Sequence, residues 1–349
     1  MRKSQAAILG LTLSFCLLAQ QPVPKAISRA QEGLALAKQG KYKEAVVAYQ
    51  QALAADPKLP GLHLNLGLAL FKLGDFRKAI PEFQSELKSG PNQQASTLLA
   101  ISFYGAGDFR TAAEHLKVVS AAYPDNKEVP YLLAQAYIQS SQYAEAADCF
   151  RKLLELDPDS VQVHILLAEA LDGIYRTEEA TAEFETAVRM APKEPNVHFG
   201  LGYLLWKQKR YEDADREFHA ELSNDPRNPL AMSYLADSLL KRNQDVAAAI
   251  KLLEEAVQIR PDLRLAHFNL GVLRANEGKN AAAMIEFREA IRLDPKKPDA
   301  HYRLARLLLL AGDRAGSDRE FATVRKLQAT DQEDPLNKVT GAGAPPVKP

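Results

Sequence analysis

The chain has 349 residues, with 44 basic and 44 acidic side chains and a formal net charge of zero. That balance provides no long-range attraction to nucleic acid or anionic lipid, so neither is an expected partner of the chain as a whole. A globular chain of this length divides into two or three domains, unless a short internal period replaces them with one continuous core.

The amino terminus differs in kind from the rest. Arg2 and Lys3 precede an uncharged run from Ala6 to Ala19 that contains Leu9, Leu11, Leu13, Phe15, Leu17 and Leu18. A charged start and a short apolar run predict a secretory signal peptide over 1–20. The run is short for a transmembrane helix, which needs about 20 residues. Cleavage after Ala19 or Gln20 is expected, and an uncleaved anchor is the alternative; membrane contact would come only through this segment. Phe15 stands before Cys16, where a bacterial lipoprotein signal wants a small side chain. Cys16 is therefore read as part of the apolar run, with lipidation as the alternative. Cleavage leaves Cys149 as the last cysteine, so no intramolecular disulfide forms and stability comes from helix packing. The expected location is exported, in a bacterial periplasm, with secretion or membrane anchoring as alternatives. Pro22 and Pro24 make 21–25 a linker.

From about Ala26 a period appears. Prolines recur at Pro57, Pro91, Pro124, Pro158, Pro192, Pro226, Pro261 and Pro295, in steps of 34, 33, 34, 34, 34, 35 and 34. The clearest copy is Ala266 to Pro295, where Leu270, Gly271, Ala283, Phe287 and Ala290 lie on two amphipathic helical patterns joined at Gly278. Apolar positions three and four apart share one helix face. Small residues let two helices approach, the aromatic fills the space beside them, and proline ends the second helix.

Earlier copies keep the plan. The first has Gly33, Gly40, Ala45, Tyr49, Ala52 and Pro57. The second has Leu66, Gly67, Gly74, Ala79 and Phe83, but places Glu86 where a small residue is expected. In the third, Leu116 replaces the aromatic. The fourth has Leu133, Ala134, Ala146 and Phe150. The fifth, with Leu167, Ala168, Ala180 and Phe184, lacks the usual turn glycine between Gly173 and Arg176. The sixth has Leu201, Gly202, Ala214 and Phe218. The seventh, with Leu235, Ala236, Ala249 and Leu253, has one extra residue near Asn243 to Asp245. A worn ninth copy keeps Leu304, Ala305, Gly312 and Phe321, as a capping repeat should.

A 34-residue period with this Leu-Gly, Ala, aromatic and Pro pattern resembles the tetratricopeptide repeat family. The resemblance implies an all-α, right-handed α-solenoid (superhelix) of about nine helix-turn-helix repeats over 26–329, with repeats starting near 26, 60, 93, 127, 161, 195, 229, 264 and 298. The polar residues 330–349, with Gly341, Gly343, Pro345 and Pro346, read as a disordered tail.

No nucleotide loop, nucleophile elbow, zinc-helix motif or metal-spaced cysteine pair occurs in the sequence. Catalysis, a cofactor and a metal are therefore not expected. His63, His164, His198, His267 and His301 share one repeat position, three before the leucine of the Leu-Gly or Leu-Ala pair. Packed helices lie about 8–10 Å apart, too far for successive imidazoles to share an ion held at about 2 Å; a half-buried structural role is expected instead. Asn65 and Asn269 resemble the asparagine ladder of O-linked N-acetylglucosamine transferase arms. Only two copies carry it, so that activity is not carried over.

The family resemblance implies that the first helix of each repeat lines a concave surface. Positions there that the core does not consume are Tyr104, Tyr131, Gln135, Gln139, Glu169, Asp172, Phe199, Tyr203, Trp206 and Asp237. Tyr and Trp supply much of the energy at protein interfaces, which makes Trp206, the only tryptophan, the leading anchor. The expected function is a non-catalytic protein–protein interaction scaffold of the bacterial envelope that holds a peptide or partner segment. The alternatives are an assembly factor for a pilus or polysaccharide exporter and, disfavoured, an enzyme of unknown type.

Overall fold

The computed structural model describes residues 24–122 and 128–333. The expected signal peptide with Cys16, most of the linker, and the tail beyond Glu333 lie outside them. The described residues form 18 helices and no strand. They divide into two compact units, 1–140 and 141–349.

The first unit contains α1 (Lys25–Lys38), α2 (Tyr42–Ala55), α3 (Leu62–Lys72), α4 (Phe76–Ser89), α5 (Gln93–Gly105), α6 (Phe109–Ala122) and α7 (Glu128–Gln139). The second contains α8 (Tyr143–Leu156), α9 (Val161–Gly173), α10 (Thr177–Met190), α11 (Val197–Lys207), α12 (Tyr211–Asn224), α13 (Pro229–Lys241), α14 (Val246–Ile259), α15 (Arg264–Asn276), α16 (Asn280–Leu293), α17 (Pro298–Leu310) and α18 (Arg314–Glu333). Within each unit, every helix packs on the next in sequence. α18 runs four residues past the repeat end placed at 329.

The glycine of the Leu-Gly pair explains how closely the two helices of a repeat meet. A Cβ on Gly33 would lie 2.6 Å from the Tyr49 ring, and on Gly67, Gly202 and Gly271 it would lie 2.7 Å from the rings of Phe83, Phe218 and Phe287. Those four rings are fully buried. The missing side chain of the first helix is thus the space that holds the aromatic of the second. Burying one such ring contributes about 1.5–3 kcal/mol.

The turn between the two helices has one conformation throughout. Gly40, Gly74, Gly107, Gly278 and Gly312 have φ between 74° and 85°, and Ser141, Tyr175, Lys209 and Asn243 take the same left-handed conformation with φ between 53° and 62°. Tyr175 occupies the place where the fifth repeat lacks its turn glycine. The extra residue of the seventh repeat is absorbed by a second positive φ, 28° at Asp245, whose side chain accepts from the Ala248 N–H at 2.9 Å. A side chain at a left-handed position costs about 1–2 kcal/mol. Lys209→Gly is therefore expected to stabilise the protein by about 1 kcal/mol, part of the relief being offset by the entropy of glycine, as a raised thermal unfolding midpoint.

Glu86 is explained by a second occurrence of the same residue. Glu221 holds the equivalent position in the sixth repeat. The helices those carboxylates reach, α3 and α11, enter through left-handed residues, Gly61 (φ 70°) and Asn196 (φ 64°), and neither residue caps its helix with a side chain. The second helix supplies the missing acceptor. Glu86 accepts from the Leu64 N–H and the Asn92 amide, both at 3.3 Å. Glu221 accepts from the N–H groups of Asn196 (3.1 Å) and Phe199 (3.2 Å) and from the Asn228 amide (3.0 Å).

The five histidines sit between the helices of their own repeats. Each Nδ1 faces a glutamate 19 residues on: Glu82, Glu183, Glu217, Glu286 and Glu320, at 2.6–2.7 Å. The Nε2 atoms of His164, His267 and His301 lie 2.9–3.1 Å from the carbonyls of Pro158, Pro261 and Pro295. Where the histidine is absent the glutamate is too: Ser96 has His115, and Pro130 has Cys149, 19 residues on.

Around buried His267, a carboxylate and a carbonyl are both acceptors, which favours a ring protonated on both nitrogens. The Glu286 hydrogen bond raises its pKa, against desolvation, with help from the Pro261 carbonyl. A folded-state pKa above the unfolded value of about 6.5 gives stabilisation that is complete below that value and lost as pH rises through the folded one. The stability difference between wild type and His267→Gln should therefore shrink as pH rises from about 6 to 9, measured by urea denaturation; a difference that grows with pH contradicts the pairing.

Candidate functional site

The ten residues expected on the first helices fall into two groups. Tyr104, Tyr131, Gln135 and Gln139 belong to the first unit. Tyr104 is half-buried with its ring edge-on to Phe109 at 5.1 Å. Tyr131 hydrogen-bonds Gln135, and burial raises its hydroxyl pKa above the ordinary range. Gln139 is exposed in the last turn of α7.

The other six lie on three first helices of the second unit, and there the side chains converge. On α11, Phe199, Tyr203 and Trp206 are spaced by four and three residues, which places them on one face. Tyr203 stacks on Phe199 (centroids 6.4 Å apart) and on Trp206 (6.3 Å). Tyr234 of α13 meets all three rings edge-on, at 5.8 Å from Phe199, 5.4 Å from Tyr203 and 5.1 Å from Trp206. Beneath them lies the buried ring of Phe218 from α12, 6.1 Å from both Phe199 and Tyr234. Phe199, Tyr203, Trp206 and Tyr234 are half-buried, so each is held by its neighbours and retains an open part. Burial, with Tyr203 and Asp237 nearby, pushes the Tyr234 hydroxyl up to about 12, leaving it a neutral hydrogen-bonding group over the ordinary pH range.

Asp237 plays a different part from the one its position suggested. It is largely buried at the groove wall, and both of its oxygens are taken: Trp206 Nε1–H donates to Oδ2 at 2.8 Å and the Asn269 amide to Oδ1 at 2.9 Å. Asp237 thereby fixes the indole of Trp206. Asp172 of α9 is likewise engaged, accepting from Lys207 Nζ at 2.5 Å, while that ammonium lies 5.6 Å over the Tyr203 ring. Glu169, one turn before Asp172, is exposed, yet desolvation raises its pKa above the usual carboxylate range.

Next to the aromatic face, α13, α15 and α17 enclose a groove of about 490 Å³ lined by Asp237, Leu240, Phe268, Asn269, Val272 and Arg303 among others. The five first helices α9, α11, α13, α15 and α17 thus contribute to one strip: an acid, an aromatic cluster, and a mixed groove ending at exposed Arg303. Tyr234 is the member of the aromatic cluster that was not among the expected site residues, and Asn269, noted in the sequence only for its asparagine-ladder position, proves to hold Asp237. In the sequence Tyr234 was visible only as an aromatic at a repeat position where most other copies carry asparagine or leucine, and two carry Gly200 and Arg303.

Comparison with known proteins matches this architecture. A TPR repeat model covers residues 33–74, and tetratricopeptide repeat models cover 103–170, 165–215 with 199–264, and 266–297. No curated protein matches the chain. Among solved structures, the Cut9–Hcn1 hetero-tetramer of the APC/C is similar at a TM-score of 0.57 and 13% identity, over 92% of this chain and 76% of that one. A tetratricopeptide repeat protein from Parabacteroides merdae has a TM-score of 0.49 at 17% identity, over 68% of this chain and 93% of that one. YrrB, described as a TPR protein with an unusual peptide-binding site, has a TM-score of 0.41 at 22% identity, over 56% and 98% of the two chains. The helical pairs, their spacing and the repeat models agree along most of its length, and the chain belongs to the tetratricopeptide repeat family.

Proposed function

We propose that the protein is a non-catalytic interaction scaffold, and that the strip on α9 to α17 holds an extended segment of a protein partner. The observation that carries this reading is the half-open cluster of Phe199, Tyr203, Trp206 and Tyr234, braced from behind by Phe218 and Asp237. Rigid aromatic rings with one open side lose little entropy on binding and dominate interface energies, and repeat proteins present extended surfaces of this kind. The carboxylates beside the cluster support binding over catalysis, since Asp172 and Asp237 are tied down by Lys207, Trp206 and Asn269. The charged, then apolar, amino terminus supports export to the envelope of a bacterium as the setting.

Affinity capture from the native organism, followed by titration of the captured partner, tests the assignment. Joint replacement of Tyr203 and Trp206 by alanine should weaken binding by about 30-fold or more, the loss of one hot-spot contact or better, with helicity unchanged. Ile285→Asn, at an exposed position of α16, should leave affinity as it was. The reverse pattern moves the binding surface to the second helices.

A further inference from the structure

We infer that Glu169 is the specificity site of this groove, receiving a lysine or arginine side chain of the partner segment while the neighbouring apolar residues of that segment lie on Tyr203 and Trp206. The inference rests on the groove assigned above and names the chemistry it selects.

The argument begins with a recurrence. Glu169 follows Leu167 and Ala168 as Asp237 follows Leu235 and Ala236, so the two acids occupy one repeat position. Asp237 shows what that position requires. Its Oδ1 is satisfied by Asn269, which lies on the next first helix, one residue before Leu270. The equivalent residue for Glu169 stands one before Leu201 on α11, and it is Gly200. No amide can be supplied from there, and none could be introduced. A Cβ at Gly200 would lie 2.3 Å from the ring of Phe184, which is itself buried.

The cation close by is already committed. Lys207, on the same α11, donates to Asp172 one turn further along α9. That bond also shows that the faces of α9 and α11 carrying Glu169 and Tyr203 adjoin. Glu169 therefore keeps an acceptor that no side chain of the neighbouring first helix supplies with a donor, on an exposed position open to a ligand, and desolvation raising its carboxyl pKa is consistent with partial cover by its neighbours. A carboxylate so placed favours an N–H donor that carries positive charge. Phe199 and Tyr203 flank Gly200 on α11, and Tyr203 stacks on Trp206. A segment lying across α9 and α11 sets its base on Glu169 and its next side chains on these rings.

An array of immobilised short peptides tests this with the full chain. One position is Lys, Arg, Gln or Glu, and its neighbours are Pro, Leu or Phe. Wild type should retain the Lys and Arg peptides about 10-fold or more over their Gln and Glu counterparts, as a charge-assisted hydrogen bond gives. Glu169→Gln should reduce that preference to about 2-fold or less while keeping the apolar selection, and Glu169→Lys should turn it toward Glu peptides. A basic preference that survives in Glu169→Gln, or a wild type that ignores charge, overturns the role of Glu169. The groove itself stands in that case provided the Tyr203→Ala and Trp206→Ala double variant loses the array. Equal retention by that double variant overturns the groove and this inference together, as does an array from which wild type retains nothing.

Discussion

Replacing Phe218 with alanine is expected to cost about 3–5 kcal/mol, the range for removing a fully buried aromatic. The ring is fully buried and fills the space that Gly202 leaves open, where a Cβ would come within 2.7 Å. Helices held this closely cannot collapse further onto the void, so the cavity stays. The same ring also supports Phe199 and Tyr234, each 6.1 Å away. Loss of stability and loss of the aromatic surface should therefore come together. Stacked repeats unfold through nearest-neighbour coupling, so hydrogen exchange of α11 to α13 is the sharper readout. Protection lost there but kept in α16 and α17 is the expected pattern; uniform protection across the unit contradicts it.

Replacing Glu221 with alanine is expected to cost about 2–4 kcal/mol, because three donors lose one buried acceptor. The carboxylate is 1% exposed and satisfies two N–H groups at the start of α11 together with the side chain of Asn228, which in turn accepts from the N–H groups of Leu230 and Ala231 at the start of α13. One side chain thus orders the entry of both helices that carry the aromatic cluster. Glu221→Gln keeps one carbonyl acceptor and should lose less than half as much. Urea denaturation of the two variants side by side measures the ordering, and a glutamine variant as damaged as the alanine one would falsify the capping account. Glu86→Ala should show a smaller loss of the same kind, since Glu86 has two such donors at longer range.

The sequence pattern alone determined the all-α hairpin repeat and its recurrent buried positions, such as Leu270, Ala283 and Phe287. It also assigned a structural role to the five histidines. Helix burial follows a three-and-four spacing, and the closeness of two helices depends on local pairs such as Gly271 with Phe287, so both are written within one 34-residue copy. The partner of each histidine was written there as well, in the glutamate 19 residues on, although that correlation carries meaning only once two facing helices are in view. Glu86 was visible as a misfit without a cause. Its cause lay in the chain entering the helix through left-handed Gly61, a conformation that the surrounding residues did not announce.

Only the tertiary structure decided which polar members of the proposed strip already have partners. Asp237 looked available on its own helix, yet both its oxygens are engaged by Trp206 and Asn269, which stand 31 and 32 residues away on the first helices before and after it. Glu169, at the same repeat position, keeps its carboxylate because Gly200 stands where the asparagine would. The physical reason is one of range. Burial is set by periodicity within a helix, whereas the pairing of polar side chains is set by which residues the stacking of successive repeats brings within 3 Å.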